Sequence, residues 1–186
     1  MNKYTLPKSI TINEKEILFK SDFRDILYLF EILNDPNLLD EEKIILCAEN
    51  FYLSEDYLYD INFAIDEMWT FISGGNKSET NHTATKPLYD WEQDFEIIVA
   101  PVNRVLNTDI RGLDYLHWWT FLSAFMEIGE CTFNTYVGIR DKLNKGKKLE
   151  KWEERVYKEH ADSIKLKRKV DDTTQALMDE ILGREA

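Results

Sequence analysis

Three histidines, two cysteines and one run of alternating carboxylates are the groups in this chain with the means to do chemistry. A zinc site needs three or four His, Cys or carboxylate ligands, usually in closely spaced pairs. His82, His117 and His160 stand far apart, Cys47 and Cys131 belong to no CxxC, and no HExxH occurs. No metal or cofactor is therefore expected. His117, beside Trp118, is the one candidate general base; a partly buried structural histidine is the competing reading. Glu92, Asp94 and Glu96 alternate, but side chains at i and i+2 leave a helix on different sides, so they do not converge as paired acids must. They read as the acidic N-terminus of a helix. Gly146-Lys147-Lys148 lacks the upstream glycine, the following Ser or Thr and the preceding strand of a phosphate loop. With no catalytic residue to assign, the chain reads as non-enzymatic.

Large apolar groups remain. Residues 88–140 contain three of the five tryptophans, Trp91, Trp118 and Trp119. Trp dominates binding hot spots, so these three, with Phe121, are candidate partner anchors. The alternative is that they are core. Arg140 continues the apolar helical face of Phe133, Tyr136 and Val137. A guanidinium buried there needs a carboxylate, since a buried unpaired charge is costly; Asp94 is the expected partner. An Arg snorkelling at the rim of the core is the other reading.

A chain of 186 residues can bury a core without disulfides or metals. Its 13% aromatic content favours folding, and seven Gly with four Pro argue against an all-β chain rich in tight turns. The cysteines read as buried reduced thiols, which points weakly to a reducing cytoplasm. The opening MNKYTLPKSI has no apolar h-region, so no signal peptide is expected, and no apolar run approaches the ~20 residues that span a bilayer. The net charge of −12 disfavours non-specific nucleic-acid binding by the whole molecule. From Arg140 to Lys169 there are twelve basic and six acidic residues, which leaves eleven basic against twenty-nine acidic elsewhere. An acidic body thus carries a basic C-terminal arm, readable as a solvated helix or as a dock for an anionic partner, either nucleic acid or another subunit's acidic body. Trp152 and Tyr157 can stack on bases, but Glu150, Glu153, Glu154 and Glu159 interrupt the arm and weaken phosphate attraction.

The elements that must position these residues follow from periodicity. Ile10 and Ile12, then Ile17 and Phe19, alternate with polar residues around Asn13-Glu14-Lys15, which predicts a small hairpin. Ser21 or Asp22 caps a first helix with Phe23, Ile26, Leu27, Phe30 and Leu33 inward. Asp35-Pro36 stops it. Asp40 caps a second helix, and Ser54 starts a third with Leu58, Ile61, Ile65, Met68 and Ile72 inward. Residues 74–87 form an exposed, mobile loop. The fourth helix carries the stripe Phe95, Ile98, Val99, Val102 and Leu106, with Pro101 predicting a kink or break. The fifth runs from about Leu113 to Ile128, apolar most of the way round. The sixth begins near Thr132 and ends at Gly146. A charged helix spans about 149–170, edged by Leu149, Trp152, Val156 and Ile164. In the tail, 171–186, Leu177 and Ile181-Leu182 can extend a helix. The expected fold is mainly α: a single domain over 1–170, a bundle of about six to seven helices with a small N-terminal β-hairpin.

Four blocks carry a family resemblance: Asp22-Phe23-Arg24, Tyr89-Asp90 through Asp94, Leu116-His117-Trp118-Trp119, and Ile139-Arg140 before a Lys-rich run. In this order they resemble a tail-operon family of siphophages and prophages of Gram-positive bacteria, named after the fifteenth gene product of one such phage. The likeness extends from about Leu6 to His160, and the LHWW block is its most specific part. Pro101 departs from the uninterrupted helix expected there, and the 74–87 loop falls where the family varies. The family has no assigned catalytic residues to carry over.

The resemblance implies a place in the genome just ahead of the tape-measure protein, where tail assembly chaperones lie. Such chaperones coat the long apolar tape measure in the host cytoplasm and leave before the virion is finished. The expected partner is therefore the tape-measure protein or another tail protein. Self-association is a further expectation; a membrane is not. The competing functions are a permanent tail or connector component of the virion, and a nucleic-acid binder using residues 140–169.

Overall fold

The alternation at residues 9–18 produces strands β1 (Ser9–Ile12) and β2 (Lys15–Leu18), paired antiparallel with Ile10 opposite Ile17 and Ile12 opposite Lys15. Asn13 and Glu14 make the two-residue turn, both at positive φ (49° and 65°), as a turn matched to strand twist requires. Ile10, Ile12 and Ile17 are buried on one face. A two-stranded hairpin is marginal in water by itself. Here Phe19, just beyond β2, stacks on Phe51 with ring centroids 4.6 Å apart.

This computed structural model describes residues 4–76 and 86–167. Among them are eight α-helices, two 3₁₀ turns and the hairpin, a mainly α fold. The tail 171–186, most of the 74–87 loop and the last residues of the charged arm lie outside the described residues. The chain forms two compact units, interleaved in sequence.

The first unit takes residues up to the 74–87 loop together with Asp114–Leu122. Helix α1 (Phe23–Leu33) is capped by Asp22, whose carboxylate accepts the Arg24 N–H at 3.0 Å. Helix α2 (Asp40–Phe51) starts one residue earlier than expected: Leu39, not Asp40, is the cap position, and its N–H donates to Glu42 Oε2 at 2.8 Å. A 3₁₀ turn (Glu55–Asp60) precedes α3 (Ile61–Ile72). Leu58 and Ile61, expected inward, are exposed. The physical reason is the turn itself: three residues per turn breaks the 3.6-residue phase on which that expectation stood.

The second unit takes Lys86–Leu113 and Ser123–Val170. Helix α4 (Trp91–Leu106) runs through Pro101 without a break. It ends at Asn107, which adopts the left-handed conformation Asn tolerates (φ 54°). Helix α5 spans Trp118–Met126, shorter than the stretch from Leu113 expected for it; its last residues belong to this unit and its first to the other. Helix α6 (Thr132–Asn144) stops where Gly146 takes positive φ. The single charged helix expected over 149–170 is two pieces, α7 (Lys151–Glu159) and α8 (Ala161–Ile164), separated at His160. This arm is not wholly solvated. Ile164 is buried with Tyr136 and Ile139, and Leu149, Val156 and Tyr157 pack on that cluster.

Candidate functional site

The LHWW block and the Asp22-Phe23-Arg24 block form one node of the first unit. The Phe23 N–H donates to Leu116 O at 2.9 Å and the Trp118 N–H to Ser21 O at 2.8 Å, an antiparallel bridge centred on Asp22 and His117. The Asp22 carboxylate also accepts the Leu116 N–H at 2.9 Å and two N–H groups of the Arg24 guanidinium, from Nε at 2.7 Å and Nη2 at 2.9 Å. Burial pushes the Asp22 carboxyl upward, but these hydrogen bonds outweigh it and hold the group below the usual carboxylate range. The bridge explains why α5 does not begin at Leu113: the backbone of 116–118 bonds to residues 21–23 in place of a helical ladder.

His117 then starts α5. Its Nδ1 accepts the Trp119 N–H at 3.1 Å, the bond of an N-cap side chain, and its Nε2 faces Pro7 O at 2.9 Å. Those two contacts require the neutral ring with the proton on Nε2. Burial, with the Lys8 charge nearby, lowers the His117 pKa despite the Pro7 contact. Both nitrogens are engaged with backbone, so the ring has no lone pair aimed at a substrate.

The two indoles cap the far end of α3. Trp118 Nε1 donates to Ile72 O at 2.8 Å, and Trp119 Nε1 to Phe71 O at 2.8 Å. The last carbonyls of a helix lack intrahelical donors; here tryptophans serve them from 46 and 48 residues away. Gly75 turns the chain under Trp119 at φ +89°, where an added Cβ would lie 3.1 Å from the indole.

The Tyr89-to-Asp94 block and the Ile139-Arg140 block form a second node, within the second unit. Arg140 Nη1 meets Asp94 Oδ2 at 2.6 Å and Nη2 meets Oδ1 at 2.9 Å. Asp94 also accepts the Asp90 N–H at 3.0 Å, while Asp90 accepts the Gln93 N–H at 2.7 Å, a reciprocal cap on α4. The remaining Arg140 donors reach the carbonyls of Leu88, Ser163 and Ile164. The structure thus brings Asp94 and Arg140 together, both buried, with every oxygen and nitrogen engaged. Glu92 and Glu96 point to solvent, so the three alternating carboxylates do not converge.

Trp91, Trp118, Trp119 and Phe121 are placed in the core, not on a partner-facing surface; exposures are 2%, 0%, 8% and 0%. Trp91 packs on Phe125 at 4.7 Å between centroids, and Phe23 stacks on Phe121 at 4.8 Å. The apolar surface lies elsewhere. Leu53, Leu58, Tyr59, Ile61 and Phe63 are exposed along the 3₁₀ turn and the start of α3. Leu18 is exposed beside them, joined through the Leu53 N–H to Leu18 O bond of 3.0 Å. Sequence reasoning missed this surface, because a helical phase had turned Leu58 and Ile61 inward. It also missed Gln93, whose side chain bonds Ser163 O, Lys165 O and Lys167 N, and which nothing in its local sequence marks.

Among the described residues no group of three or more His, Cys, Asp or Glu is arranged to hold a metal, and no helix is long and apolar enough to cross a membrane. No curated protein and no solved structure matches the chain. All four blocks, gathered into the two nodes above, lie inside the stretch 3–166 matched by the family model of the bacteriophage Gp15 protein, and the chain belongs to that family.

Proposed function

We propose that this protein is a tail assembly chaperone that acts in the host cytoplasm by covering apolar stripes of the tape-measure protein. Membership of the Gp15 family gives the coarser statement, a phage structural or morphogenesis role in a family not known as enzymatic. The observation that carries the finer reading is the exposed run Leu53, Leu58, Tyr59, Ile61 and Phe63. Contiguous exposed apolar groups mark interaction sites. Glu55, Asp56 and Asp60 lie within the same run, so the surface stays soluble while it is uncovered. A helix laid across this surface would bury its apolar face there. Many weakly bound copies along one long partner would hold it through avidity.

Co-expression with the cognate tape-measure protein tests the reading. The expected result is a soluble complex that copurifies, and that is lost when Leu58, Tyr59 and Phe63 are all changed to Ser. A tape measure that stays insoluble, with nothing copurifying, defeats it. Finding the chain in purified virions would instead make it a permanent tail component.

A further inference from the structure

We infer that the outer face of α7 is a docking surface for the acidic first unit of a second copy of this chain, seated on the exposed stripe of α2. Trp152 keeps 45% of its surface exposed on the first turn of α7. Its neighbours Lys151, Arg155 and Lys158 are exposed and form no ion pair among the described residues. By contrast, Glu153 on the opposite face is buried and bonded to Lys142 at 2.7 Å. The inner face of α7 therefore fixes the helix to its own unit, and the outer face presents a tryptophan framed by cations.

The partner's chemistry follows from charge. Glu154 and Glu159 line the same shallow depression as Lys151, Arg155 and Lys158. That mixture suits a protein surface of acids and apolar groups better than a row of phosphates. The first unit supplies such a surface. Over its described residues it has five basic and sixteen acidic side chains. On α2, Glu41, Ile45 and Glu49 are exposed and four residues apart, so they share one stripe. At 1.5 Å per residue Glu41 and Glu49 stand about 12 Å apart, and Lys151 and Lys158 about 10 Å apart. On α2 the apolar Ile45 lies between the two acids; on α7 Arg155 takes the middle of the row, and the exposed Trp152, its indole N–H bonded to Glu150 at 3.0 Å, flanks it. One helix pair buries little area, so the contact is weak in isolation. It allows head-to-tail association, since each copy has both surfaces.

Sedimentation velocity on the full chain tests this. Self-association is expected at about 50 mM salt, weakening at least tenfold by about 500 mM as screening shortens the Debye length. Trp152→Ala should weaken it comparably. The double variants Lys151→Glu/Arg155→Glu and Glu41→Lys/Glu49→Lys should each be monomeric, and an equimolar mixture should recover association, because the unaltered α7 of one variant meets the unaltered α2 of the other and the two reversed surfaces also match. Circular dichroism verifies that each variant is folded. A wild type that is monomeric at low salt overturns the inference, as does association indifferent to salt and to both reversals. Salt-sensitive binding of single-stranded DNA that Lys151→Glu/Arg155→Glu abolishes, without self-association, also overturns it and assigns the face to nucleic acid.

Discussion

Arg140 and Asp94 meet through two parallel hydrogen bonds, 2.6 and 2.9 Å long, from positions 46 residues apart. The pair links the start of α4 to the middle of α6. Arg140 also donates to carbonyls at residues 88, 163 and 164. One side chain therefore anchors both entry to α4 and the segment that follows α7.

Arg140→Ala is expected to lower stability by about 3 kcal/mol or more, because it leaves the Asp94 carboxylate buried and unpaired. Urea unfolding of wild type and variant reads the difference; a loss under about half a kcal/mol would show that the pair contributes nothing net. Replacing both partners by apolar groups of similar volume should cost less than Arg140→Ala alone.

His117 predicts an acid sensitivity. Its pKa is lowered in the folded state, so between that value and the ordinary value of about 6.5 the unfolded chain binds a proton that the folded chain does not. The stability linked to this group is complete above about pH 6.5 and declines as pH falls through that window. Protonation would also set an N–H on Nδ1 against the Trp119 N–H that it now accepts. Urea midpoints from pH 7.5 down to 5.5 should fall in wild type and flatten in His117→Gln. An equal slope in both would remove His117 as the cause.

Gly75→Ala tests the close approach beneath Trp119. The residue sits at φ +89°, and its new Cβ would meet indole carbons at 3.1 and 3.3 Å. A loss of at least about 1 kcal/mol is expected, with a shift in tryptophan emission. Unchanged stability and emission would mean the turn relaxes freely.

Iodide quenching should separate the tryptophans. Trp91, Trp118 and Trp119 are shielded and Trp69 is half-buried, whereas Trp152 is 45% exposed. Trp152→Phe should remove most of the quenchable emission. If strong quenching persists in Trp69→Phe/Trp152→Phe, the indoles of the LHWW block are reachable from solvent.

The two thiols should differ as sharply. Cys47 is fully buried, and burial pushes its thiol up to about 12. Cys131 is partly exposed. One thiol per chain should react rapidly with a disulfide reagent under native conditions, and two after unfolding. Two fast thiols in the native protein would contradict the burial of Cys47.

The hairpin, the order of the helices, the Asp22 cap and the stop at Gly146 were legible in the sequence, because each rests on contacts within a few residues. The roles of the tryptophans were not. An indole beside a histidine reads equally as a partner anchor or as core. Only the tertiary structure decided, by placing the carbonyls of Phe71 and Ile72 within reach of Trp119 and Trp118. Long-range hydrogen bonds likewise moved the start of α5 to Trp118, by giving the 116–118 backbone partners at residues 21–23. The 3₁₀ turn at 55–60 rotated Leu58 and Ile61 outward, a change of phase that a 3.6-residue period cannot anticipate. Local pattern sets which residues seek shelter from water. Which partner shelters each of them depends on groups far away along the chain, and that information resides only in the folded arrangement.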